Sequence, residues 1–180
     1  YLPSWHPWED YRNGYAANTS LGGGVILTLI HELDYLYWLL GPVKQVFAIG
    51  GQLTPLELDV EDVALISLLT KNDVPINVCM DYWRDPPKRT VYIVGEKGEI
   101  FWDYYKMEAT IKQKGEIIHY SKPIKGWERN DLFIAIMRNF LDSIKNRTSV
   151  STSLNEGIEV LRIALSAKES LTKKEAIWIK

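Results

Sequence analysis

Apolar side chains recur at every third or fourth position between residues 24 and 40, and Gly41-Pro42 then stops the pattern, so this segment predicts an amphipathic helix. A shorter rhythm follows. Residues 43–53, 60–70, 76–83, 90–95, 99–104, 108–113 and 116–120 form brief runs of β-branched and aromatic side chains. Each run is bounded by turn residues such as Lys71-Asn72-Asp73, Gly95-Glu96-Lys97-Gly98 or Lys114-Gly115. These runs predict strands, and turns this tight favour antiparallel hairpins over crossovers. In 60–70 the apolar residues fall on both strand faces, Val63, Leu65 and Leu69 against Ala64, Ile66 and Leu68, which predicts a sheet covered on both sides.

The helical period returns in 130–145, where Phe133, Ile136, Met137, Phe140, Leu141 and Ile144 form one apolar stripe, read as core. A further helix starts at Ser153, with Glu156 three residues on completing a capping-box pattern; Leu154, Ile158, Leu161, Leu165 and Leu171 mark its expected buried face. Residues 176–179 add an edge strand. The order of one helix, many strands and two helices predicts an α+β fold: a large, mostly antiparallel open sheet with helices packed on one face. No repeat or linker divides the chain, so residues 1–180 read as a single domain. The second face of the sheet then needs a cover, and another copy of the chain is the simplest one, which predicts a homo-oligomer.

Composition narrows the partners. Among 180 residues, 21 are basic and 23 acidic, a net charge of -2 with no long basic run, which argues against nucleic acid. The single cysteine, Cys79, forms no internal disulfide, and no 18-residue uncharged apolar stretch or signal peptide is evident, so a cytoplasmic protein with no membrane partner is expected. Seven tryptophans and ten tyrosines point to a ligand surface or large interfaces. Several lie in the first twenty residues, YLPSWHPWEDYRNGYAANTS, which read as an ordered loop rich in aromatic and ionic groups.

On the first helix His31, Asp34, Tyr35 and Trp38 stand at relative positions 0, 3, 4 and 7 and share one face, polar and aromatic in a helix otherwise apolar. Spacing alone leaves two readings: a core histidine bonded to Asp34 or a backbone carbonyl with Glu32 solvated, or a reactive group. It does exclude others. His6, His31 and His119 share no ligand spacing, so no metal is expected. Glu32 and Asp34, two apart, diverge on a helix and cannot act as a hydrolase pair on one substrate.

The stretch G-G-G-V-I-L-T-L-I-H-E-L-D-Y-L-Y-W-L-L-G (residues 22–41) resembles the first helix of the C-terminal domain in the Gfo/Idh/MocA oxidoreductase family. W-H-P-W-E-D-Y-R (5–12) resembles the segment before that helix in members linked to surface-polysaccharide and sugar-precursor pathways, and E-G-I-E-V-L-R (156–162) follows the family order. The resemblance implies a substrate-binding and oligomerisation domain that follows an N-terminal Rossmann domain absent from this chain. It also implies hydride transfer between NAD or NADP and a sugar, sugar-derivative or cyclitol carbon in a cleft between the two. His31 matches the family histidine that hydrogen-bonds the reacting hydroxyl and moves its proton, work suited to a group that titrates near neutral pH. Asp34 is then its orienting partner. Trp5 and Tyr11 could stack on a sugar face while Asp10 and Arg12 grip hydroxyls or a carboxylate; the same residues also suit a loop anchored by its rings and paired at its surface.

Two departures qualify the resemblance. Where the family often has an aspartate shortly before the histidine, this chain has Leu27 and Thr28, and a threonine can bind a substrate hydroxyl but takes no proton near neutral pH. The chain also lacks both a Gly-x-Gly-x-x-Gly turn and the family's Glu-Lys-Pro motif, so the cofactor is expected to bind mainly in the missing domain and the isolated chain to be inactive. The alternative is a non-catalytic sugar-binding or subunit-assembly module derived from that family.

Overall fold

The computed structural model describes residues 1–121 and 124–179. Its elements are α1 (Val25–Thr28), α2 (His31–Leu40), β1 (Val43–Gly51), β2 (Val63–Thr70), β3 (Pro75–Asp81), β4 (Thr90–Gly95), β5 (Gly98–Asp103), β6 (Glu108–Gln113), β7 (Glu116–Ser121), α3 (Asn130–Asn146), α4 (Leu154–Lys173) and β8 (Ile177–Trp178). The fold is α+β with antiparallel sheets, as the patterning predicts. The strands form two four-stranded sheets, and contacts group the chain into two compact units: residues 1–84 with 152 onward, and residues 85–151.

In the first unit the sheet order is β3-β2-β1-β8. Alternation sorts each strand: Val46, Ala48, Ala64, Ile66, Leu68, Ile76 and Met80 point into the core, while Phe47, Ile49 and Leu65 face outward and stay exposed. Among the described residues, the chain itself covers one side of β2. Val25 and Ile26 of α1 and Leu33 and Leu36 of α2 join that core, each burial of a large apolar side chain stabilising by about 1.5–3 kcal/mol.

Helix α4 lies across β1 with a face other than the leucine face expected. Its buried residues are Val160, Ile163, Ala164, Ala167 and Ser170, while Leu154, Ile158, Leu161 and Leu165 remain exposed and Leu171 is partly buried. Small side chains let helix and strand approach closely enough for Ser170 Oγ to accept from Ala48 N at 2.9 Å and donate to Glu175 O at 2.6 Å. The capping box is formed: Ser153 Oγ accepts from Glu156 N, and Glu156 Oε2 accepts from Ser153 N at 2.6 Å, a cap that contributes about 1 kcal/mol.

The predicted first helix is interrupted. Leu29 leaves helical geometry (φ -99°, ψ 28°), between the β-branched Thr28 and Ile30, and a new helix begins at His31. The N-terminal loop is more regular than its composition suggests, winding through four 3-10 turns at residues 2–4, 11–13, 15–17 and 19–21. Asp62, fully buried, ties down the loop after β1 by accepting from Leu53 N at 2.7 Å, Thr54 N at 3.1 Å and the Thr54 hydroxyl.

The second unit holds the meander β4-β5-β6-β7 and α3. Ile93, Ile100 and Ile111 meet in one cross-strand row and Val91, Trp102 and Ala109 in another, pairings that favour this register. The α3 stripe exists but is not core: Phe133, Ile136, Met137, Phe140, Leu141 and Ile144 are all exposed, and Ser143 is the buried residue of the helix.

Candidate functional site

The break before α2 places His31 at the first position of a fresh helical turn. Leu33 and Leu36 point into the core, so His31, Asp34 and Trp38 face outward, with Tyr35 half-buried beside them. The His31 side chain is 46% exposed. The carboxylate that meets it belongs to Glu32, whose Oε1 lies 3.1 Å from His31 Nε2 and whose Oε2 accepts from the Tyr35 hydroxyl at 2.5 Å. Glu32 is itself mostly enclosed, at 14% exposure. Asp34, the expected orienting partner, is exposed one turn on. Adjacent residues on a helix ordinarily diverge, so spacing rules pass over Glu32. The available signal is the acid directly after the histidine, at a helix start whose dipole favours negative charge.

The segment leading to His31 is pinned from several directions. Val25 N donates to Glu61 O at 2.9 Å and Gly24 N to Ala16 O at 3.1 Å. The Glu61 carboxylate accepts from Ile26 N at 3.4 Å and pairs with Lys168 of α4 at 3.0 Å, so the last helix holds the first. A Cβ on Gly23 would meet Tyr15 O at 2.3 Å, and one on Gly24, whose φ is +107°, would meet Glu61 Oε1 at 2.3 Å. These glycines serve close packing of α1 on its own chain.

Thr28 ends α1, and its hydroxyl is shut off from solvent. It lies near the Tyr82 phenol without completing a hydrogen bond among the described residues. Tyr82 is fully buried, which pushes its phenol well above the ordinary value, and its hydroxyl donates to Ala16 O at 3.4 Å. Thr28→Val, which keeps the shape and removes the unsatisfied oxygen, is expected to raise stability by about 1 kcal/mol, read from the urea midpoint.

The loop residues form a separate cluster. Arg12 directs Nε and Nη2 at Asp10, at 2.9 and 2.6 Å, and Nη1 at Glu57, at 3.2 Å. The Arg12 hydrogen bond holds the Asp10 carboxyl below its usual range, and both carboxylates raise Arg12 further. The Tyr11 hydroxyl accepts from Glu57 N at 3.1 Å, while its ring packs on the core. Trp5 stands edge-on to Tyr82 at 5.7 Å. Trp5, His6, Glu9, Tyr11 and Tyr15 line a small cavity of about 30 Å³ that is partly open to solvent. Residues 81–84 likewise make a turn, with Asp81 Oδ1 accepting from Trp83 N and Arg84 N at 3.0 and 2.6 Å. Arg12, Asp10 and Glu57 are thus engaged with one another, while Trp8 of the loop and His31 and Trp38 of α2 stay exposed.

Residues 2–101 match the family profile described as the GFO/IDH/MocA C-terminal domain. An uncharacterized oxidoreductase of Synechocystis is 36% identical over 77 residues, covering 37% of this chain and 21% of that protein. Among solved structures, levoglucosan dehydrogenase in complex with NADH and levoglucosan superposes with a TM-score of 0.83 at 19% identity, over 92% of this chain and 53% of that one. The WlbA dehydrogenase of Bordetella pertussis, in complex with NADH and UDP-GlcNAcA, gives 0.73 at 19% identity, over 94% and 50%. The chain thus spans about a fifth of the curated relative and about half of these structures, and the likeness to the latter is one of fold. With more than half its length matched to the profile, the chain belongs to the GFO/IDH/MocA family as a C-terminal domain.

Proposed function

We propose that the chain is the substrate-side and assembly domain of an NAD(P)-dependent oxidoreductase acting on a hydroxyl or carbonyl of a sugar, sugar derivative or cyclitol. The observation that carries this is His31, half open at the start of α2 and braced from behind by Glu32. Levoglucosan and UDP-GlcNAcA in the two structural neighbours, both with NADH, support the substrate and cofactor classes.

The residues of this chain do not fit the dinucleotide phosphates. The spaces beside Gly23 and Gly24 are filled by the carbonyls of Tyr15 and Ala16 and by the Glu61 carboxylate, which would repel a pyrophosphate. A nicotinamide supplies the hydride acceptor or donor, and it would be held outside the described residues. The work left to this chain is the substrate's proton: His31 takes it from the hydroxyl being oxidised and returns it to the carbonyl being reduced. Thr28, with its hydroxyl enclosed, takes no part in that transfer in this reading. The outward residues Phe47, Ile49 and Leu65 supply an apolar surface for self-association. No helix among the described residues is long and apolar enough to cross a membrane, and a cytoplasmic enzyme suits the free thiol of Cys79.

The test is a spectrophotometric screen of the full-length protein with NAD⁺ and NADP⁺ against a panel of aldoses, uronic acids, nucleotide sugars and inositols. Reduction of the nicotinamide by one of these classes is expected. Sugar binding in calorimetry with no turnover for any bound ligand would instead select the non-catalytic module.

A further inference from the structure

We propose that the turn His6-Pro7-Trp8-Glu9 is a carbohydrate shelf: the open face of the Trp8 indole takes the apolar face of a neutral pyranose ring, while Glu9 and His6 meet its hydroxyls. This rests on the reading of the full-length protein as one that handles sugars. Trp8 is 80% exposed and adds little to the core, yet its ring is held in place. It stacks on the His6 imidazole, with centroids 5.2 Å and planes 19° apart. The imidazole is fixed by a hydrogen bond from Nδ1 to Glu9 Oε1, since an ionised carboxylate can only accept. Glu9 N donates to His6 O at 3.0 Å and closes the four-residue turn, with Pro7 restricting the backbone at its second position. Upstream, Leu2 N donates to Tyr82 O at 2.9 Å and Trp5 N to Leu2 O at 3.2 Å, which moors the segment to the residue after β3.

An indole preset in this way loses little freedom when a ligand lands on it, which favours binding. The other rings of the loop are placed differently, Tyr11 packing on the core and Trp5 standing against Tyr82, so Trp8 offers the open face. Glu9 Oε2 and His6 Nε2 have no partner among the described residues, and both side chains also line the small cavity beside Trp5. An apolar protein surface laid over the indole would strand that carboxylate away from water, whereas the hydroxyls around a sugar ring satisfy it. Charge narrows the class of sugar. Arg12, the single arginine of the loop, is taken up by Asp10 and Glu57, so the shelf keeps the negative charge of Glu9 and has no guanidinium to offer an anion. A neutral ring is favoured over a uronate or a sugar phosphate.

The experiment follows Trp8 in the full-length protein labelled with fluorotryptophan, its ¹⁹F resonance assigned with Trp8→Phe. Methyl β-glucopyranoside, methyl β-galactopyranoside and methyl N-acetyl-β-glucosaminide are titrated, and a saturable shift of the Trp8 resonance is expected with at least one of them. In calorimetry Trp8→Ala should weaken that sugar by roughly tenfold or more and Trp8→Tyr by less, with the urea midpoint unchanged in both. Glu9→Gln should weaken it by about 2- to 10-fold. The uronate of the same configuration should bind more weakly than the neutral glycoside, and tighter binding of the uronate overturns the proposal. So does a Trp8 resonance that no pyranoside moves, or one that uridine moves and the pyranosides do not. A resonance without an H₂O/D₂O isotope shift overturns it as well, because another domain or a second copy then covers the indole. Should Trp8→Ala fail to fold, the wild-type titration and Glu9→Gln decide. Turnover in the nicotinamide screen with a silent Trp8 removes the shelf and keeps the oxidoreductase reading; a sugar that shifts Trp8 in a protein without turnover does the reverse.

Discussion

Replacing His31 by alanine in the full-length protein is expected to lower kcat by about 10²- to 10⁴-fold, the range lost with a general acid or base. The expectation follows from position. His31 is a half-open ring at the head of a helix whose other face is locked into the core by Leu33 and Leu36, so the imidazole is presented rigidly. KM should move far less than kcat, because a proton in flight is felt in the transition state and hardly in ground-state binding. Steady-state kinetics on a substrate found in the screen would measure both. A kcat within about twofold of wild type would remove His31 from the chemistry.

Stability is expected to respond most to Asp62. Asp62→Ala leaves Leu53 N, Thr54 N and the Thr54 hydroxyl without their acceptor in a partly buried loop, a loss of about 3 kcal/mol where total stabilities are about 5–15 kcal/mol. Asp62→Asn, which keeps one acceptor oxygen, should lose about half as much. Urea denaturation would show the midpoint falling in that order with the slope preserved. A midpoint for Asp62→Ala equal to wild type would mean that the loop finds other partners at no cost.

The strands were legible because each apolar run ends in residues that can do little but turn, and the observed β2 to β7 fall within a few positions of the predicted runs. The capping box at Ser153 was equally plain, since its chemistry is local. Helix α4 shows where such reading fails. Weighting by side-chain size chose its leucines, yet contact with a strand selected Ala164, Ala167 and Ser170, because close approach rewards small residues that no hydrophobic scale ranks first. The stripe on α3 was seen correctly as a pattern, and pattern alone does not say what it meets. At the site, family likeness singled out His31, whereas helical spacing proposed Asp34 as its partner. Spacing pairs residues three or four apart, and it is the next residue, Glu32, whose carboxylate lies 3.1 Å from His31 Nε2. Arg12 and Asp10 were read both as substrate grips and as a pair. Their mutual bonds are local, two residues apart, whereas Glu57 arrives from 45 residues away and leaves no trace in the local sequence.

Because the first unit is assembled from residues 1–84 and 152 onward, the polypeptide between them, 85–151, must leave the ribosome before α4 can. At about 5–20 residues per second, the nascent sheet and the histidine helix wait several seconds with one side unroofed. Lys168 then arrives to engage Glu61, and Ser170 to engage Ala48. Maturation of the first unit is therefore gated by α4: a polypeptide truncated after α3 would leave the ribosome as a half-built core, a client for chaperones and proteases.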